Sequence, residues 1–332
     1  MASTNGAPST VVADTLRPYT RGYKAPDATR GLIARAHETR LARTVATVVF
    51  DHLVIVAVNF AAVLAWLSLP WPLAALALAL DAAIIGRQLR ALECLVHEAS
   101  HHNWSRRHRR LNDVVASVLA CSPTGALLAE YRRSHLVHHR DFGTDLDPDL
   151  RRYRELSIED LDRLSPRRFV SGLARRFTRY QRGWLQMLGA RPSVLLPIVV
   201  WIGVWTVMPV LLLVPGRPGV APVVAGVAAC VLAYAIVTPT IRLVGEAAEH
   251  RYFNQSTVWE STISNLGALH RLLLHPHGDG YHNVHHMWPG VPHHASRRLH
   301  NLMTRFDPDA YGLTVNARTS VFMEPVKFRP AK

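Results

Sequence analysis

Cysteine is scarce in this chain. Cys94, Cys121 and Cys230 are its three, and they show no paired spacing. That excludes a disulfide framework and leaves nothing to build a thiolate metal site or an iron–sulfur cluster. Charge is scarce as well, at 19% of residues against 49% hydrophobic, and over long runs it is missing. Residues 193–215 and 219–241 contain none, residues 44–69 contain only Asp51, and residues 72–86 only Asp81. About 20 apolar helical residues cross a bilayer core of ~30 Å. Four spans are therefore predicted, at about residues 45–69, 72–96, 193–215 and 219–241. The connections Ser68-Leu69-Pro70-Trp71 and Val214-Pro215-Gly216-Arg217-Pro218 are short, which pairs the spans as two hairpins. Residues 1–30 lack an apolar stretch, so no cleaved signal peptide is expected and the first span serves for insertion. Their Pro, Gly and polar content predicts a disordered N-terminal segment. Residues 31–310 then form one membrane domain and residues 311–332 a C-terminal tail.

The formal charge of +14 does not point to nucleic acid. Arginine clusters in the segments flanking the spans, and the two short connections carry one arginine between them. This is the positive-inside pattern, and it places both termini and the long central segment on the cytoplasmic face. Residues 111–128 are moderately apolar but contain Asn112, Asp113, Ser122, Pro123 and Gly125. They read as an interfacial or re-entrant segment, not a fifth span. Residues 151–182 are amphipathic and arginine-rich, as expected of a helix on the headgroup surface. Ionisable Asp51 and Asp81 lie within spans, where such groups are paired, near the interface or functional.

Against this background stand three histidine clusters: His97-Glu98-Ala99-Ser100-His101-His102, His135-Leu136-Val137-His138-His139 and His282-Asn283-Val284-His285-His286. Spacings of three and four place side chains on one helix face. A structural zinc needs four ligands, so three clusters exceed that purpose. A single HxxHH is weak evidence; three on one predicted membrane face indicate a polynuclear, nitrogen-rich site, of the kind that suits iron and O2. Two rivals fit less well. His97 to His101 matches HExxH, the zinc-protease helix, but such a protease has no use for two further clusters. A metal transporter would place ligands inside its spans, which hold only His52. His37, His108, His270, His275, His277, His293, His294 and His300 read as solvated surface histidines or an adventitious metal site, with His277 nearest the third cluster.

The order and spacing of the clusters, the predicted hairpins and the intervening text resemble the membrane fatty-acid desaturase superfamily, which includes related hydroxylases. Asn112-Asp113 follow the first box. Tyr131-Arg132-Arg133-Ser134 lead into the second, and Gly143-Thr144 and Asp147-Pro148-Asp149-Leu150 follow it. Pro289-Gly290-Val291-Pro292 follow the third, and Ala248-Glu249-His250 matches a further piece of the pattern. The resemblance covers roughly residues 45–305. It implies an all-α integral membrane protein whose four transmembrane helices, in two hairpins, carry a cytoplasmic helical cap holding a histidine-rich diiron site.

The resemblance further implies nine ligands to two irons: His97, His101, His135, His138, His139, His250, His282, His285 and His286. His102 stands as an alternative ligand or a supporting group. Glu98, Asp147, Glu246, Asp279 and Asn283 are candidates to hydrogen-bond the ligands' second nitrogens. The implied activity is O2-dependent oxidation of an unactivated C–H bond. Desaturation of a fatty-acyl or lipid chain is the first expectation. Hydroxylation of an acyl chain, terpenoid or specialised metabolite is the alternative. The electron donor is expected to be separate and ferredoxin-like, because His275-Pro276-His277-Gly278 departs from the His-Pro-Gly-Gly of a fused cytochrome b5. The third box begins with His282, not the Gln associated with fused front-end desaturases.

Overall fold

A computed structural model describes residues 23–189, 191–214, 219–252 and 257–327. Most of the segment read as disordered, and residues 215–218 of the second short connection, lie outside the described residues. Four helices are long and apolar enough to cross a membrane: α1 (Leu41–Ser68), α2 (Trp71–Ser100), and, beyond the cap helices introduced below, Pro192–Leu213 and Val220–Glu246. Their outward side chains are apolar too, including Phe50, Leu53, Leu76 and Leu80 on α1 and α2, and Leu196, Leu212, Val224 and Val231 on the other two. A helix apolar on its exposed face is solvated by lipid, not water.

Three of the four helices outrun the apolar stretch that announces them. At 1.5 Å per residue, the 30 residues of α2 reach about 45 Å, against a hydrocarbon core of ~30 Å. The excess, at the C-terminal end of α2, carries Arg90, His97 and Glu98. Pro70 caps α2 and Pro72 occupies its first turn, where a missing N–H costs nothing.

After α2 come α3 (Arg109–Ala116), α4 (Leu128–Arg140), α5 (Pro148–Leu156) and the amphipathic α6 (Pro166–Gly189). The span Pro192–Leu213 is α7 and Val220–Glu246 is α8. Residues 109–124 and α4 meet at a bend of 90°, the geometry of a re-entrant segment or of a broken fifth span. Three π-helical turns interrupt these helices: Ser117–Cys121, Gly203–Val207 and Ala233–Val237. Each ends two residues before a proline, Pro123, Pro209 or Pro239. Proline has no N–H to give the carbonyl four residues back and its ring collides with it, so the turn widens. The carbonyl four residues before Pro239 is that of Ala235, and Gln181 of α6 donates to it; Trp184 donates to the Tyr234 carbonyl at 2.8 Å. The widened turn thus docks α6 onto the bundle.

The bundle core joins Ile55, Ile85, Leu89, Ile198, Trp201 and Ala229. α8 packs against both α1 and α2. At its crossing with α2, a Cβ on Gly86 would lie 2.5 Å from Val237 Cβ, so this contact requires glycine. A second, larger core fills the cap, uniting Phe142, Tyr153, Leu243, Trp259, Val284, Met303 and Tyr311.

Two helices, α9 (His282–Met287) and α10 (His293–Phe306), and a small sheet complete the cap. β1 (Ile263–Asn265) pairs in parallel with β2 (Asn316–Arg318), with Ile263 opposite Asn316. β2 pairs antiparallel with β3 (Val326–Lys327). The all-α expectation therefore needs a correction: the protein is mostly helical but its cap contains a three-stranded sheet. Residues 311–318, read as the start of a tail, belong to that cap. Tyr311 and Val315 have no exposed surface, and β2 supplies the central strand.

Candidate metal centre

The histidines converge because three elements meet over the end of α2. His97 and His101 stand one helical turn apart at its C-terminus, α4 and α9 each bring an HxxHH, and His250 follows α8. At about 100° per residue, positions i and i+4 lie about 40° apart while i+3 falls on the other side of i. Each HxxHH therefore divides. In α4, His135 and His139 point to one centre and His138 to the other; in α9, His285 points to the first centre and His282 and His286 to the second.

The Nε2 atoms record this division. In the first set, His97 lies 3.0 Å from His135 and 2.9 Å from His285, His101 lies 2.8 Å from His135, and His139 lies 3.0 Å from His135 and 2.8 Å from His285. In the second, His138 lies 3.4 Å from His286, and His282 lies 3.0 Å from His250. The sets adjoin, with the rings of His139 and His286 centred 4.5 Å apart. Imidazole nitrogens about 2.1 Å from one metal ion sit about 3.0 Å apart at right angles and about 3.4 Å apart at tetrahedral angles. The observed separations are those edges. So many lone pairs facing one another, away from water, suit a cation at each centre.

Electrostatics agrees. Burial, followed by the neighbouring imidazoles, holds His135, His139, His285 and His286 well below the ordinary imidazole range, and does the same for His250. Burial, His97 and Arg132 push His101 down to about 3. Neutral imidazole is the metal-binding form. His138 is the exception. Burial opposes its charge, but Asp149 and Asp147 raise it.

The family model for fatty acid desaturase matches residues 69–319. The chain belongs to this family. No curated protein matches it. The matched region runs from the start of α2 through β2 and holds all nine converging histidines. It reaches past residue 310, in keeping with the buried place of β2.

Two of the five candidate supporting groups touch a histidine of the cluster, one in each set. The Asp279 carboxylate accepts from His97 Nδ1 at 3.0 Å, and the Asp147 carboxylate from His138 Nδ1 at 2.9 Å. Each bond fixes the tautomer that turns Nε2 inward. Burial would raise the Asp279 carboxyl, but the His97 bond and the Arg90 charge hold it below the usual carboxylate range. The other three do not reach the cluster. Glu98 accepts from the His293 backbone N–H at 2.7 Å, Glu246 pairs with Arg242 and Arg152, and Asn283 bonds Ser264 and the Trp259 carbonyl. Glu98 and Asn283, each next to a histidine on a helix, are turned about 100° away from it, and Glu246 is held by its arginines. Glu98 thus does not stand where an HExxH base would. His102 also lies apart: it sits in left-handed backbone and faces Arg132 and Asp113.

Three features had no signal in the sequence. Phe142 packs against His138, His250 and His286, and Tyr131 stacks on His135, so aromatic rings wall the cluster. Arg90 is buried beneath it. Its guanidinium donates to the Leu274 carbonyl at 3.0 Å and to Asp279 at 3.0 Å, and lies 3.5 Å from both Glu93 and Glu249. It thereby ties α2 to the segments bearing His250 and the third box. Finally, His270, His275 and His300 are buried, not solvated as their composition suggested. His275 lies beside Glu249, and His300 bonds the Tyr311 hydroxyl at 3.0 Å.

Proposed function

We propose that this protein is a membrane diiron oxidase that desaturates a fatty-acyl or lipid chain. The observation that carries the reading is the gathering of nine histidine Nε2 atoms into two adjacent sets, five and four, with spacings that suit one metal ion each. His97, His101, His135, His139 and His285 would hold one iron, and His138, His250, His282 and His286 the other. Bound there, two irons supply O2 activation and removal of hydrogen from an unactivated C–H bond.

The protein's own residues do the rest. Asp279 and Asp147 orient one imidazole in each set. Phe142 and Tyr131 exclude water from the ring edges. The lipid-facing helices deliver a chain from the bilayer to the end of α2, where the metals would sit. The balance of the reaction is one substrate CH2–CH2 unit, O2, two electrons and two protons giving one double bond and two waters. The two electrons come from a separate ferredoxin-type donor in this reading. The basic flanks of the spans support two hairpins with both termini and the metal site cytoplasmic.

The test compares lipids and small metabolites from cells expressing the chain with a ferredoxin system against cells expressing His138→Ala. A product lighter by about 2 Da, dependent on the intact histidine, is expected. A product heavier by about 16 Da would replace desaturation by hydroxylation. No difference, with iron-loaded protein present, would overturn the acyl-lipid assignment.

A further inference from the structure

The chain leaving α2 carries a run of arginine that the metal centre does not use. Arg106, Arg107, His108, Arg109, Arg110 and Leu111 line a groove of about 530 Å³. Arg106 forms its inner wall, held by the His37 carbonyl, Asn103 Oδ1 at 2.9 Å and the Gly290 carbonyl. Arg107, Arg109 and Arg110 are exposed, and among the described residues their side chains make no ion pair or hydrogen bond. Two acids of this region are engaged elsewhere: Asp113 accepts from Arg132 at 2.5 Å, and Glu98 from the His293 N–H.

The depth of this groove follows from the residues after it. Leu111, Val114 and Val118 are exposed by 43%, 62% and 61%, and their spacing of three and four puts them on one side of the helix. The opposite side, Asn112, Ala116 and Ala120, is fully buried in the core that includes Leu95 and Trp104. An uncovered apolar row beside two spans belongs in hydrocarbon. The arginines directly before it then stand at headgroup level.

We propose that residues 106–111 bind the phosphate of an anionic phospholipid headgroup, with the acyl chains lying along Leu111, Val114 and Val118. The inference rests on the membrane reading above, not on the metal chemistry. A zwitterionic headgroup leaves the three arginines uncompensated. An anionic one supplies the counter-charge while its chains cover the apolar row, and each basic residue near such a surface favours binding about fivefold. Because Arg106 reaches the Gly290 carbonyl just after the third box, a lipid seated here also braces the loop between the first and third boxes.

The experiment titrates fluorescent phosphatidylglycerol into the purified full chain in zwitterionic micelles. Saturable binding is expected, resistant to phosphatidylcholine and to inorganic phosphate and weakened by salt. Replacing three arginines together, Arg107→Gln, Arg109→Gln and Arg110→Gln, should weaken it on the order of a hundredfold with the helical signal unchanged, since these side chains hold nothing else in place. The matched variant Arg167→Gln, Arg175→Gln and Arg179→Gln, exposed arginines of α6, should bind as the parent does. Equal losses in both variants would mean diffuse surface charge and overturn the site. Displacement of the probe by inorganic phosphate alone at matching concentration would mean a free-anion site and overturn the lipid assignment. A chain that stays soluble without detergent would instead refute the membrane reading, before any lipid is added.

Discussion

Replacing Asp147 by asparagine tests whether the carboxylates behind the histidines tune the metal centre or only build the fold. Asp147 is fully buried. Its Oδ1 accepts from His138 Nδ1 at 2.9 Å and from the Asp149 backbone N–H at 2.9 Å, and its Oδ2 accepts from the Gly143 N–H at 2.8 Å. Asparagine has one acceptor where the carboxylate has two. With its oxygen toward His138, its amide faces the Gly143 N–H, donor against donor. Flipped, it strands both His138 and the cap of α5. Either way at least one buried donor goes unpaired, at about 1–3 kcal/mol, and His138 loses its anionic partner. Metal affinity should fall about 10- to 100-fold. The assay follows iron retained per chain against rising chelator. Asp149→Asn is the control, because the Asp149 carboxylate is partly exposed and stands 3.5 Å from His138 Nδ1 without a hydrogen bond. Its loss should not exceed about fivefold. If Asp147→Asn retains iron like the parent, or Asp149→Asn loses as much, the reasoning from hydrogen-bond geometry is wrong.

Arg90→Gln should deplete iron from both sets and destabilise the fold by about 3–5 kcal/mol, since Asp279, Glu249 and Glu93 would lose a buried counter-charge; Arg90→Lys, which keeps charge but not the fork, should retain part of the iron. Iron content and thermal melting read both, and a loss confined to stability would deny Arg90 a role in placing the ligands. His101→Ala should lose iron while His102→Ala keeps it, because only His101 turns its Nε2 into the cluster; metal analysis giving the reverse would reassign the first box. The metal-free protein should melt at lower temperature as pH falls from about 6.5 toward 4. Burial holds His270 at about 3 and, with Arg90 working against Asp279, His275 at about 4; burial alone holds His300 at about 4. In that window the unfolded chain takes up protons that the folded chain refuses, so stability present above pH 6.5 is lost on acidification. A flat melting profile from pH 7 to 5 would contradict the buried, neutral state of these rings.

The spans were legible because a bilayer demands long uncharged runs, and residues 193–215 and 219–241 can serve little else. The clusters were legible because i, i+3 and i+4 spacing survives any tertiary arrangement. What the spacing did not reveal is the split of each HxxHH between two centres, which depends on where α4 and α9 lie relative to α2. Adjacency misled in two cases, since Glu98 and Asn283 neighbour a histidine in sequence but face elsewhere on the helix; Glu246, a third candidate, is held by arginines. Asp147 and Asp279 could be named only from resemblance, since their partners lie 9 and 182 residues away. The buried state of His275 and His300, the clamp by Arg90 and the strand pairing of residues 316–318 arise from contacts between distant segments, and no local pattern carries them.

The central claim is that nine histidines hold two irons. Its most direct test is the metal content of the full chain, purified in detergent from cells supplied with both iron and zinc, measured by elemental mass spectrometry against protein concentration. About two irons per chain, falling in both His285→Ala and His286→Ala, is the predicted result. About one zinc per chain with no iron would contradict it and return the site to hydrolytic or structural chemistry.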